Sequence, residues 1–187
     1  MKSVPVLKLL GEHEHSLFVM LDAAQIPDLP ALLSAAGVPF RSLFEGESAR
    51  NLEDVAPYLV GLSGAPGLLQ RLVEEGWGRA WAAFFACDLP FDDVRRHLRK
   101  FLLVNTDDGR QVYFRYYDPR VLRAFLPTCS PEQLKQFFGP IHTFWMEADD
   151  PAVCIAFSQG LSGLQQKIYQ VQGNEEPQPS TRGKSRR

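Results

Sequence analysis

The chain has 187 residues, 45% of them hydrophobic and 22% charged, with a formal net charge of −2 at pH 7. That is the size and make-up of one domain whose core is large enough to fold unaided. The balance of charge gives no footprint for nucleic acid or an anionic membrane, and no run approaches the ~20 apolar residues of a membrane span.

The opening MKSVPVLKLLGEHEH lacks a long apolar core and a small-residue cleavage site, so it does not read as a signal peptide. Ser16 to Leu21 is a first strand, and Ala31 to Ala36 a short helix after Pro27-Asp28, closed by Gly37. Phe40 to Phe44 and Tyr58 to Leu62 read as the next two strands. Gly67 to Glu75 is an amphipathic helix with Leu68, Leu69, Leu72 and Val73 inward. Ala80 to Cys87 (AWAAFFAC) is a continuous apolar run, the pattern of a strand covered on both faces.

Leu89-Pro90 introduces a helix in which Phe91, Val94, Leu98 and Phe101 recur three and four residues apart. Asp92 and Asp93 begin it and Arg95, Arg96, Arg99 and Lys100 end it, as the helix dipole favours. The turn Asn105-Thr106-Asp107-Asp108-Gly109 predicts a β-hairpin over about 101–117. On its return strand Val112, Phe114 and Tyr116 alternate with Gln111, Tyr113, Arg115 and Tyr117. Asp118-Pro119 is an N-cap followed by proline at the first helical position, and Pro127 stops that helix. Ser130-Pro131-Glu132-Gln133 starts another, with Gln133 placed to close a capping box. Ile141 to Met146 and Ala152 to Phe157 predict two more strands, and Leu164 to Val171 a last helix.

The expected architecture is therefore α/β: one domain over residues 1–172, with a mixed central sheet flanked by helices. Residues 173–187 (GNEEPQPSTRGKSRR) have no apolar anchor and are expected to form a disordered, basic-ended tail. Cys87, Cys129 and Cys154 are odd in number and show no paired spacing, which fits a reducing cytosol; Cys87 and Cys154 read as core fillers.

No constellation assembles a catalytic or metal site. Ser158, in AFSQG, sits where a nucleophile elbow would, but no His or Asp follows it to complete a triad. Glu12-His13-Glu14-His15 offers metal donors without a distant third ligand, and His97 and His142 are the only other histidines. Gly61 to Gly67 is glycine-rich but carries neither Lys-Ser/Thr nor G-x-G-x-x-G, so it reads as a plain loop. Asp22, Glu45, Asp54 and Asp118 each lie beside a turn or helix start and read as caps. No cofactor is implied. The opposite parity of the hairpin strand would present Tyr113, Arg115 and Tyr117 outward, the residue types enriched at protein interfaces.

Five blocks in register resemble the type VI secretion effector adaptor (effector chaperone) family. They are LFVMLDAAQIPDL (17–29), FRSLFEGE (40–47), LEDVAPYLVGL (52–62), EEGWGRAW (74–81) and the run from RRHLRKF to FFGPI (95–141). YDPR-V-L-R-AFLP is the most specific of them, and the resemblance covers about residues 17–145. It implies a non-enzymatic bacterial cytosolic adaptor that binds a secreted toxic effector and helps dock it on the VgrG spike. Under that resemblance the basic helix face, Arg95 and Arg99 above all, becomes a candidate partner contact, and the part after residue 145 the more partner-adapted end. An exposed apolar strand or helix there is expected to make the isolated protein sticky. Two other classes stay open: a small cytosolic α/β hydrolase-like enzyme, and an interaction module unrelated to secretion.

Overall fold

The structure, a computed structural model, describes residues 5–171 except Asp107 and Ser162. The tail expected at 173–187 lies outside the described residues. In chain order the elements are α1 (Val6–Gly11), β1 (Leu17–Asp22), α2 (Leu29–Ala36), β2 (Phe40–Ser42), α3 (Gly46–Asn51), β3 (Pro57–Gly61), α4 (Pro66–Gly76) and β4 (Ala82–Cys87). There follow α5 (Phe91–Arg99), β5 (Leu103–Asn105), β6 (Gln111–Tyr113), α6 (Pro119–Phe125), α7 (Pro131–Phe138), β7 (Ile141–Glu147), β8 (Val153–Gly160) and β9 (Gly163–Gln170).

Seven strands form one sheet in the order β2-β3-β1-β4-β7-β8-β9. Every neighbouring pair is antiparallel, so the sheet is antiparallel and not mixed as the alternation of strands and helices suggested. The reason is topological. α2 links β1 to β2, and α4 links β3 to β4, but each link skips a strand: β3 lies between β1 and β2, and β1 lies between β3 and β4. This is a split β-α-β arrangement. A sequence pattern of strand, helix, strand is the same whether the two strands touch or are held apart.

Residues of β1, β3 and β4 are buried throughout, because helices lie on both faces. α1 and α4 cover one face: the His13 ring lies 4.6 Å from Trp145, and Leu7 and Leu69 share a hollow with Leu17. On the other face Phe18 stacks on Phe85 at 5.5 Å, and Phe91 of α5 and Phe137 and Phe138 of α7 close over Phe18 and Phe144. Cys87 and Cys154 are buried fillers of this core, and burial pushes the Cys154 thiol up to about 12.

Two further readings change. Near the N-terminus, where the sequence suggested no element, Val6, Leu9 and Leu10, spaced three and four apart after Pro5, are buried as helix α1. Leu164 to Val171 is strand β9, not a helix. Leu164, Ile168 and Val171 carry helical spacing, but the turn between Gly160 and Gly163 sends the chain straight back along β8, and Ile168 pairs with Ile155. Ser158 therefore sits mid-ladder, opposite Thr143 and Gln165, with no helix behind it.

Both capped helices form as read. The Ser130 hydroxyl accepts from the Gln133 N–H at 3.2 Å, and Gln133 Oε1 accepts from the Ser130 N–H at 2.7 Å. At the far end of α7, Gly139 adopts φ +51°, ψ −110°, a region closed to L side chains. A Cβ there would run into the His97 ring. That ring is buried, lies edge-on to Phe101 at 5.3 Å, and donates through Nε2 to the Phe137 carbonyl at 2.8 Å. Burial pulls its pKa below the ordinary value and Lys100 adds to the effect, while the bond to Phe137 opposes it.

Gly139→Ala should cost about 2–4 kcal/mol of stability, through backbone strain and the collision with His97, as read by urea unfolding. His97 also sets a pH dependence. Above about pH 6.5 the ring is neutral folded and unfolded, and contributes no slope; below it the unfolded chain takes a proton that the native ring resists, so stability falls with pH. His97→Gln, which keeps a donor for the Phe137 carbonyl, should flatten that fall between about pH 6.5 and 5 in the same assay.

Candidate functional site

β5 and β6 form a small sheet of their own, apart from the seven-stranded one. Leu103 pairs with Tyr113, Val104 with Val112 and Asn105 with Gln111. The turn closes through Thr106 N–H to the Arg110 carbonyl at 2.9 Å and Gly109 N–H to the Thr106 carbonyl at 2.8 Å, with Gly109 at φ +80°. Leu103, Val104, Val112 and Tyr113 keep 45%, 38%, 39% and 43% of their surface exposed. In antiparallel pairing opposed residues share a face, so partly exposed apolar side chains stand on both faces of the ribbon. Among the described residues this is the densest group of exposed large apolar side chains in the chain.

The ribbon is held at its base by buried polar groups. Tyr116 is fully buried among Phe101, Phe114, Tyr117 and Phe137, and its hydroxyl donates to the Leu98 carbonyl at 2.7 Å. Phe114 N–H donates to the Leu102 carbonyl at 2.8 Å, tying the two strand ends together. Arg115 reaches the buried Asp22 at the end of β1 at 2.5 Å and lies 3.6 Å from Asp118. Asp118 caps α6 by accepting from the Arg120 N–H at 2.9 Å, and the Arg120 side chain binds the same carboxylate at 2.7 and 3.0 Å. Burial opposes ionisation of Asp118, but those bonds outweigh it and hold the carboxyl below its ordinary value. The outer side leans on the chain after β2: Tyr113 packs on Phe44 at 4.6 Å and its hydroxyl donates to Ser48 at 3.1 Å.

The five residues singled out in the sequence separate here. Tyr113 and Arg115 are exposed on or beside the ribbon. Tyr117 is 3% exposed and cannot offer its ring to a partner. Strand β6 ends at Tyr113, and a turn in which Asp118 N–H donates to the Arg115 carbonyl at 3.0 Å breaks the period of two. Arg95 and Arg99 are staples inside the molecule. Arg95 donates to the Ser42 carbonyl at 2.9 Å and the Phe44 carbonyl at 3.3 Å, and Arg99 to the Leu43 carbonyl at 3.0 Å. Both also pair with Glu45, at 3.0 and 2.6 Å. Carbonyls at the end of a strand that stops after three residues need donors, and α5 supplies them. Leu103, Val104 and Val112 were hidden in the sequence because apolar residues in a hairpin read as core. The signal was the shortness of the strands, too few residues either side of the turn to join the main sheet.

Elsewhere the polar groups serve the fold. Glu147, buried at the end of β7, accepts from the backbone N–H groups of Gly78 and Ala80, the latter at 2.7 Å and at φ +57°. Burial raises its pKa against those bonds and the nearby Arg123. Trp77 Nε1 donates to the Pro151 carbonyl at 2.8 Å, and Gly76 leaves room for Trp81, 2.7 Å from where a Cβ would stand. His142 pairs with Asp88 at 2.8 Å on the surface. Among the described residues no three His, Cys, Asp or Glu side chains converge on a point that could hold a metal ion. Nor is any described helix long and apolar enough to cross a membrane. The glycine-rich loop after β3 lines an open groove of about 480 Å³ against the end of α2, walled by Ala35, Ala36, Gly37, Gly64 and Ala65.

A family model described as a domain of unknown function (DUF4123) matches residues 17–136. The match begins at the first residue of β1 and ends within α7, so it spans the split β-α-β core, α5, the ribbon and its base. No curated protein and no solved structure matches the chain.

Arg115→Ala strips the buried Asp22 carboxylate of its counter-charge. Solvent screens part of the pair at the arginine end, so the loss in urea unfolding should be about 1–3 kcal/mol. Arg115→Lys, which keeps the charge but not the fork, should recover only part of it.

Proposed function

The chain belongs to the DUF4123 family, and on that premise we propose that it is a bacterial cytosolic adaptor for type VI secretion. It binds a toxic effector and helps load it onto the VgrG spike; it is not itself an enzyme. The observation that carries the reading is the β5–β6 ribbon: exposed apolar side chains on both faces, inside the matched region, on a rigid base. An apolar projection with a fixed root suits a surface that buries itself in another protein. The charged residues around it are engaged within the fold: Asp22, Arg115 and Asp118 at the base of the ribbon, Arg95 and Arg99 on the segment after β2. β7, β8 and β9 lie beyond the matched region and form the part suited to differ from one effector to the next. The exposed Leu161 and Ile168 there give that part an apolar surface of its own.

The test is recovery of partners by the tagged full-length chain from its native host, read by mass spectrometry. A VgrG protein and a large toxin-like chain should both be recovered, with their genes beside that of the adaptor. Recovery of neither, in cells with an active secretion apparatus, would sink this reading in favour of a module unrelated to secretion. With the effector in hand, Leu103→Asp combined with Val112→Asp should weaken capture at least about tenfold while leaving the thermal midpoint within about 2 °C, because both side chains are already exposed.

A further inference from the structure

The open edge of the large sheet points to a second binding surface. β9 pairs with β8 over its whole length, from Val153 opposite Gln170 to Gly160 opposite Gly163, with no break in register. No described strand lies on its other side. In such a ladder alternate residues turn their N–H and C=O groups away from the partner strand, so about half of the eight residues present unpaired backbone to solvent. Proteins usually blunt an edge of this kind by shortness, proline, a bulge or several charges. β2, at the opposite edge, has three residues. β9 has eight, with no proline, no bulge and the single charge of Lys167.

We propose that this edge accepts an extended segment of another protein as an eighth strand, and that the segment alternates apolar with acidic side chains. The two faces of β9 specify the alternation. Ile168 is 48% exposed and stands opposite Ile155, with Gln166 opposite the buried Phe157, on the face that carries α7. An incoming strand adds an apolar residue beside Ile168 on that side. Lys167 and Tyr169 lie on the other face, opposite Ala156 and Cys154. The Lys167 ammonium rests 4.8 Å from the Tyr169 ring centroid and has no acidic partner among the described residues. A carboxylate on the incoming strand meets it there. At the tip of the hairpin Leu161 is fully exposed, a further apolar contact for the end of the segment.

Other occupants fit worse. A second copy pairing edge to edge brings no carboxylate to Lys167, because β9 carries no acidic residue. Residues 172–187 contain no apolar side chain to place beside Ile168, and Pro177 and Pro179 lack the N–H a ladder requires. The inference stands apart from the secretion reading, since strand addition is a backbone chemistry that any extended partner can use.

The experiment uses the full-length chain, uniformly labelled with nitrogen-15, and a capped synthetic peptide of four Val-Glu repeats as probe. Saturating peptide should shift the amides of residues 163–170 and slow exchange of the outward-facing ones at least about tenfold. The same peptide N-methylated at its four central residues, which cannot donate to a ladder, should do neither, and a Val-Lys repeat should bind at least about tenfold more weakly. Three results would overturn the proposal. They are amides untouched by the Val-Glu peptide, amides already protected in the free chain at every dilution, and amides protected without peptide only as the chain is concentrated. The second result would assign the edge to the chain's own tail and the third to another copy.

Discussion

The hydrogen bond from Tyr116 to the Leu98 carbonyl fixes the middle of this protein. The hydroxyl is buried among rings, where an unpaired polar atom would cost about 1–3 kcal/mol, so the ring can settle only where it finds that carbonyl. Leu98 lies near the end of α5, and Tyr116 stands between the ribbon and α6. One bond thus brings the chain before the ribbon to the chain after it. Phe101, Phe114 and Phe137 pack around Tyr116 because its position is set, and α7 docks through Phe137.

Around that centre polar and apolar side chains exchange their customary places. Arginines and carboxylates that a surface would ordinarily show to solvent are turned inward or along the fold, where they serve strand-end carbonyls and helix caps. Valine, leucine and tyrosine, which a core would ordinarily take, stand outside on β5 and β6. The exchange is economical in one physical respect: the bonds that hold the ribbon use groups that water would have satisfied equally well, while the apolar area stays exposed. Loss of a staple therefore acts on stability more than loss of an exposed ribbon side chain does.

The legible parts of this fold are those written in local chemistry. Asp118-Pro119 and the Ser130–Gln133 box are complete within four residues, and both form as read. β4 announced itself as an unbroken apolar run, and it is buried along its length. What the sequence hid depends on residues far apart. Arg95 looks like one of a surface cluster until Ser42, more than fifty positions away, is seen to need its N–H groups. β9 has helical spacing, and only the return along β8 decides the matter. Tyr117 kept its parity on paper, whereas the turn after Tyr113 ended the strand that parity assumed.

The split β-α-β core also sets an order of events during synthesis. β1 emerges first among the strands, yet both of its neighbours, β3 and β4, are made later, and β2 must wait for β3 before it can pair. The apolar LFVML segment of β1 therefore remains without hydrogen-bonded neighbours until at least Tyr58 has left the ribosome. Waiting strands of this kind are sticky, and non-local pairing is slow to form. The meander from β7 to β9 is laid on last, strand by strand against an edge already built, and Glu147 and Pro151 then close on Gly78, Ala80 and Trp77, made long before.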